Sequence, residues 1–113
     1  MMLVEDDPTM LSLLDTLLGI EGFEVAKISD FGNVIEEVRS ASPDVILMDV
    51  HLRDTDGKEI LVDLREDGDF GDTKIIMSSG MDFRHECLAK GANDFILKPY
   101  MPDELINKIK QLI

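Results

Sequence analysis

The stretch Asp44-Val45-Ile46-Leu47-Met48-Asp49 decides the fold of this chain of 113 residues. Its apolar run from Val45 to Met48 is long enough for a β-strand that is buried on both faces, as in parallel sheets. A carboxylate directly after such a run does not belong to the core. In open α/β proteins, ligands bind at the edge of the sheet formed by the carboxyl ends of the strands. Asp49 is therefore the first candidate functional residue.

Three further apolar runs end in polar residues in the same way. These runs, each with the residues that follow it, are Met1-Met2-Leu3-Val4 before Glu5-Asp6-Asp7, Ile75-Ile76-Met77 before Ser78-Ser79-Gly80, and Phe95-Ile96-Leu97 before Lys98-Pro99. Because the carboxyl ends of parallel strands meet at one edge, the sequence predicts that acids, hydroxyls and one lysine cluster there.

Apolar runs alternate with amphipathic segments along the whole chain. The first helix is expected to begin at Pro8 with Asp7 as its N-cap. A weaker strand is expected from Phe23 to Ile28, and a short fourth helix from about Asp82 to Lys90. Five strands and five helices in strict alternation predict a parallel sheet with helices on both faces and right-handed crossovers.

The composition narrows the possible functions. The length and the hydrophobic fraction of 44% suit one globular domain over residues 1–113. The net charge of −13 argues against direct nucleic-acid binding, which needs a basic face. No apolar stretch approaches the roughly 20 residues of a membrane span, and we expect no signal peptide because the first strand begins at once. Cys87 is the only cysteine, which fits a reducing cytoplasm.

Glu5, Asp6 and Asp49 are expected to lie close together at the edge of the sheet. Three carboxylates in one place repel one another unless a cation joins them. Mg²⁺ is the natural candidate, since it prefers one or two carboxylates together with phosphate oxygens and water. In an alternative interpretation, Glu5 and Asp7 only cap the following helix and interact with its dipole.

Asp49 is also a candidate nucleophile, because a carboxylate can form an aspartyl phosphate. That chemistry needs a metal to neutralise the phosphoryl oxygens, a second cation and a hydroxyl donor. Lys98 and Ser79 are of the required types, and a lysine suits phosphate as a point charge.

Four motifs in order carry a resemblance to a known family. They are Leu3-Val4-Glu5-Asp6-Asp7-Pro8, Asp44 to Asp49 with Asp56-Gly57 after it, Ile75 to Gly80, and Gly91-Ala92-Asn93-Asp94-Phe95-Ile96-Leu97-Lys98-Pro99. Over essentially its whole length the chain resembles a response-regulator receiver domain, the phosphoacceptor of two-component signalling. The resemblance implies a flavodoxin-like (βα)5 sandwich with a parallel five-stranded sheet in the order 2-1-3-4-5.

The resemblance also implies a role for individual residues. Asp49 matches the phosphoacceptor, and Ser79 matches the switch hydroxyl that moves to the phosphoryl group. Mg²⁺ would be held by Glu5, Asp6, Asp49 and the backbone carbonyl of His51. Lys98 would pair with the phosphoryl group, with a cis Lys98-Pro99 bond after it, and Phe95 matches the aromatic residue that turns inward on activation. Spacing from Asp49 favours Ser79 over Ser78, whose side chain points to the other side of the strand.

The chain departs from the family pattern in two regions. Arg53 replaces a usual proline, so the loop after Asp49 is expected to be more mobile. His51 and Met81 match positions that flank the path of the attacking water and are predicted to tune the phosphoryl lifetime; alternatively, His51 is an ordinary half-exposed loop residue. His85 and Cys87 are expected to be ordinary residues of the short fourth helix.

The second departure is one of length. Eleven residues separate Ser79 from Gly91, about one helical turn, or roughly 3.6 residues, fewer than is usual in the family. This predicts a short, mobile fourth helix and an altered output face. It also predicts no strong phosphorylation-driven dimer of the usual kind.

The sequence thus predicts a cytoplasmic phosphoacceptor switch without an external substrate. Its partners would be a histidine kinase or phosphotransfer protein and an unknown output partner or fused output domain. Three alternatives are kept. A phosphohydrolase would use Asp49 as its nucleophile, but His51 stands where its general acid is expected. A flavin or nucleotide binder would need a first loop less acidic than residues 5–7. A receiver fold that is never phosphorylated is the third.

Overall fold

The computed structural model describes residues 1–28 and 30–113. Its strands are β1 (Met2–Val4), β2 (Ala26–Lys27), β3 (Val45–Asp49), β4 (His51–Leu52), β5 (Thr55–Asp56), β6 (Lys74–Ser79) and β7 (Asp94–Leu97). Its α-helices are α1 (Pro8–Ile20), α2 (Val34–Ala41), α3 (Gly57–Glu66), α4 (Arg84–Ala89) and α5 (Pro102–Leu112). None of the helices described is long and apolar enough to cross a membrane.

Five of the strands form one sheet in the order β2-β1-β3-β6-β7, in which every neighbouring pair is parallel. The predicted flavodoxin-like class is confirmed. The order differs from the predicted 2-1-3-4-5 in the numbers of its last two strands, because the short strands β4 and β5 precede them. These two form a separate antiparallel pair directly after β3.

The two faces of the sheet are covered by different helices. Buried side chains of α2, α3 and α4 pack with one set of strand residues, and those of α1 and α5 pack with the other. Ile46 and Met48 belong to the first cluster, while Val45 and Leu47 belong to the second. The alternation within β3 explains why this run is apolar throughout, since both of its faces are buried.

Local sequence accounts for where α1 begins. The carboxylate of Asp7 accepts hydrogen bonds from the backbone N–H of Thr9 at 2.9 Å and of Met10 at 3.4 Å, and Pro8 occupies the first turn. The first N–H groups of a helix have no partner within the helix. The two hydrogen bonds to Asp7 supply a partner for the N–H groups of Thr9 and Met10. The predicted N-cap is confirmed.

Two predicted elements are shorter in the structure. The strand expected from Phe23 to Ile28 is reduced to Ala26–Lys27 at the edge of the sheet, where β1 is its single neighbour. The fourth helix has six residues, Arg84–Ala89, as the short spacing predicted. The Lys98-Pro99 peptide bond is cis, as the family resemblance implied.

Gly57 ties the start of α3 to the end of β3. Its N–H donates to the carbonyl of Val50 at 2.7 Å. A Cβ added at this position would lie 2.1 Å from the backbone oxygen of Asp49, so only glycine fits without a shift of the chain. The backbone from the Asp49 carbonyl to Val50 is therefore held by the first residue of the next helix.

Candidate functional site

The fold brings three carboxylates together at the carboxyl edge of the sheet. Glu5 and Asp6 follow β1, and Asp49 ends the neighbouring strand β3. One carboxylate oxygen from each lies within 4.8 Å of the others. Glu5 and Asp49 are buried, with 6% and 9% of their surfaces exposed, while Asp6 is half-buried. The predicted acidic cluster is thus present as a set of oxygen donors of the kind that holds Mg²⁺.

Glu5 is fixed by the backbone of the loop that follows β1. Its Oε2 accepts hydrogen bonds from the N–H groups of Asp6 at 3.0 Å and Asp7 at 3.3 Å. Asp7, rather than Glu5, accepts from the first turn of α1. The capping interpretation therefore describes Asp7, whereas Glu5 orders the loop and keeps its Oε1 directed towards the other charged groups of the edge.

Lys98 joins the two buried carboxylates. Its Nζ lies 2.7 Å from Oε1 of Glu5 and 3.2 Å from Oδ2 of Asp49. Burial alone lowers the pKa of the Lys98 ammonium, but the hydrogen bond to Glu5 and the charges of both acids raise it above its ordinary value. The backbone supports this position, because the N–H of Lys98 donates to the carbonyl of Ser79 at 2.8 Å.

The surroundings of the Asp49 carboxyl disfavour its ionised form. Burial and the charge of Glu5 raise the pKa of its carboxyl from 3.8 to about 6, although Lys98 acts in the opposite direction. At neutral pH the ionised group costs the folded state free energy, because it is buried beside Glu5 and Lys98 offsets only part of this effect. A second cation between the carboxylates would offset that cost, so the residues present fit Mg²⁺.

The two serines at the end of β6 are both buried. Ser78 pairs with Asp49 in the strand register, and the Oγ of Ser79 accepts a hydrogen bond from the N–H of Met81 at 3.1 Å. Met81 itself is exposed over 62% of its surface. The predicted switch hydroxyl therefore lies where β6 passes into the loop before α4.

Phe95 is already turned inward. Its ring is buried, with 3% exposure, and packs in the cluster formed with α2, α3 and α4. The resemblance implied an aromatic residue that moves inward on activation. The ring therefore already occupies a buried position in this conformation.

His51 is the exposed first residue of β4. The β4–β5 pair places His51 opposite Asp56 and Leu52 opposite Thr55, with Arg53 in the turn between them. The loop that was expected to be more mobile thus contains a short hairpin. The imidazole also contacts a ring in the loop between β6 and α4: the centroids of His51 and Phe83 are 5.7 Å apart at an angle of 72°.

Tyr100 is a residue near the site that the sequence did not single out. Within the described residues, its buried hydroxyl has no hydrogen-bond partner. Burial raises the pKa of this phenol to about 12, and the charges of Lys98, Glu5 and Asp49 also act on it. Its place directly after the Lys98-Pro99 pair was the only signal available.

Tyr100→Phe is expected to raise the free energy of unfolding by about 1 kcal/mol, because it removes a buried hydroxyl that lacks a partner while keeping the ring. Urea denaturation of the two proteins at pH 7 checks this. A clear loss of stability in the Phe variant would show that the hydroxyl is hydrogen-bonded in solution and would contradict the prediction.

The chain is similar to known proteins over nearly its whole length. The family model of the response regulator receiver domain matches residues 1–110. The chain belongs to this family. The receiver is part of two-component phosphorelay signalling. Among curated relatives, the transcriptional regulatory protein TrcR of Mycobacterium tuberculosis is 33% identical over 114 residues, which cover 99% of this receiver and 44% of TrcR. The receiver spans about half the length of the curated relatives it matches.

Solved receiver structures resemble it throughout. The BeF3-activated N-terminal receiver domain of Klebsiella pneumoniae RstA has a TM-score of 0.88 at 27% identity, with 97% of this chain and 94% of that one covered. The receiver domain of the sensor histidine kinase PA1611 of Pseudomonas aeruginosa PAO1 has a TM-score of 0.80 at 30% identity, with 98% and 93% covered. That structure has a magnesium ion coordinated in the active-site cleft.

Proposed function

We propose that this receiver, over residues 1–113, accepts a phosphoryl group on Asp49 in an Mg²⁺-dependent reaction. The donor is a histidine kinase or a phosphotransfer protein in the cytoplasm. One observation carries the proposal: Asp49 ends a buried strand beside Glu5 and Asp6, with the ammonium of Lys98 3.2 Å from its Oδ2. This juxtaposition of a carboxylate nucleophile, further acids and a lysine is what an aspartyl phosphate requires.

Glu5, Asp6, Asp49 and the backbone carbonyl of His51 would hold the metal ion. When bound, Mg²⁺ supplies positive charge to phosphoryl oxygens. The acidic cluster supports this assignment, as does the magnesium ion in the PA1611 receiver, which shares 30% of its sequence with this chain.

Residues of this chain perform the phosphoryl transfer. An ionised oxygen of Asp49 forms a bond to phosphorus while the bond from phosphorus to the donor breaks, and the donor leaves with that electron pair. Lys98 turns from the carboxylates to the new phosphoryl oxygens, where its charge is needed. The aspartyl phosphate is later hydrolysed by water, with His51 and Met81 tuning its lifetime. The domain assists these two reactions on itself and has no external substrate.

The signal is a shift between two conformations. Ser79 is the hydroxyl that we expect to contact the phosphoryl group, since it lies at the end of β6 next to β3. Its movement would release the N–H of Met81 and shift the loop before α4. Phe95, buried in the neighbouring strand β7, is the aromatic residue that we expect to respond to this shift.

The partner that receives the signal is a fused output domain or a separate protein. Relatives twice as long include DNA-binding response regulators, which supports a fused output domain. With a net charge of −13, this receiver itself is not expected to bind nucleic acid.

Asp6→Ala tests the metal assignment. Acetyl phosphate with Mg²⁺ is expected to add one phosphoryl group to the unmodified protein, as read by intact mass, and EDTA should prevent it. The alanine variant should bind Mg²⁺ about tenfold more weakly, because one of the oxygen ligands is lost. Asp7→Ala is the matched control, since Asp7 is exposed and caps α1. Equal Mg²⁺ affinity in the Asp6 variant and the unmodified protein would contradict the assignment.

A further inference from the structure

Phe83 connects two loops that flank the site. It lies between β6 and α4, four residues after Ser79, and its ring meets the imidazole of His51 edge to face. His51 lies two residues after Asp49. Because β3 and β6 are neighbouring strands, the ring pair bridges the loops that leave their carboxyl ends. The contact therefore joins the segment after β3 to the loop after β6.

Phe83 also contacts Lys58 of α3, which in turn pairs with Glu86 of α4. The Nζ of Lys58, in the first turn of α3, lies 4.5 Å from the centroid of the Phe83 ring. The same ammonium is 3.2 Å from Oε1 of Glu86 in α4, and 17% of the Lys58 side chain is exposed. Cation–π contact and ion pair together limit the positions of the ring. The Phe83 ring is thus restrained by Lys58 of α3, whereas His51 is exposed to solvent.

We propose that Phe83 is a positioning residue for His51, and that the pair restricts the entry of water to the phosphorylated Asp49. The inference rests on the proposed function and goes beyond it by assigning a role to a residue outside the site. The imidazole of an unsupported, exposed His51 would sample several rotamers. The edge-to-face contact favours rotamers that keep the imidazole against the Phe83 ring, and the pair of Lys58 and Glu86 restrains that ring.

The test is the rate at which the phosphorylated protein loses its phosphoryl group. The protein is labelled with acetyl phosphate and Mg²⁺, the donor is removed, and the decay is followed by intact mass at constant Mg²⁺. Phe83→Leu is expected to speed the decay about threefold, in the range set by the loss of one aromatic pair. Phe83→Tyr, which keeps the ring, should restore the original rate. Phe23→Leu is the matched control, because it makes the same change in the loop before β2.

A double-mutant cycle separates positioning from a structural effect. If Phe83 acts through His51, then Phe83→Leu should have no further effect on the decay in a His51→Ala background. An equal acceleration in both backgrounds, or an unchanged rate in the single variant, would overturn the inference and leave the proposed function intact. Absence of any labelling in the unmodified protein would overturn the proposed function and this inference with it.

Discussion

Asp49→Asn is expected to abolish labelling by acetyl phosphate completely. The amide is neutral and is not a nucleophile, while its size and its contact with Lys98 are nearly kept. Intact mass after incubation with Mg²⁺ gives the result directly. Asp54→Asn is the matched control, because Asp54 is exposed in the turn between β4 and β5 at a φ of 57°, a conformation that asparagine also tolerates. Full labelling of the Asp49 variant would refute the assignment of the phosphoacceptor.

The same variant is expected to be more stable at neutral pH. The folded-state pKa of Asp49, about 6, exceeds its ordinary value of 3.8, so the ionised group costs the folded state free energy. The cost is absent below pH 3.8, grows as the pH rises, and is complete above pH 6. Asp49→Asn should therefore gain at most about 3 kcal/mol at pH 7 and nothing at pH 3.5. Urea denaturation at both pH values measures the difference, and a gain that is independent of pH would point to another cause.

Lys98→Met is expected to have the opposite effect on stability. It leaves two buried carboxylates, Glu5 and Asp49, without the ammonium that joins them. Removal of one partner from a buried ionic cluster costs about 3 kcal/mol of the free energy of unfolding. Because Mg²⁺ can supply the missing charge, the loss should shrink when the ion is added. Unfolding by urea at pH 7, with and without Mg²⁺, measures both effects.

Lys110→Met is the matched control for that experiment. Lys110 forms an exposed ion pair with Glu21 at 3.4 Å, and such pairs contribute roughly 0–1 kcal/mol. The two variants lose the same kind of side chain, so burial of the partners is the main difference between them. Equal losses of stability, or a Lys98 deficit that Mg²⁺ leaves unchanged, would show that Lys98 does not neutralise the acidic cluster.

The position of the candidate site could be predicted because it follows from topology. In a parallel sheet, the residues after each strand meet at one edge, so Glu5, Asp49 and Lys98 come together although they are far apart in sequence. The length of β2 could not be predicted in the same way. Phe23 and Val25, which precede β2, pack against the cluster of α1 and α5, so they satisfy a strand pattern without pairing as a strand.

Contacts between side chains of different loops could not be predicted from the sequence. The ring pair of His51 and Phe83 depends on how two loops are placed, and no local pattern encodes that placement. The unpartnered hydroxyl of Tyr100 and the inward ring of Phe95 depend in the same way on packing around them. The short α4 followed from a count of residues, whereas its mobility and the absence of a strong dimer stay predictions.

Gly57 limits how this receiver can be redesigned. Since any side chain at residue 57 would press on the peptide oxygen of Asp49, a substitution there would displace Asp49 before it altered the helix. The exposed residues of α3, such as Glu59, Asp63 and Glu66, are free of that restriction. A new partner surface on this helix can therefore be designed by substituting its exposed residues, provided that Gly57 is left unchanged.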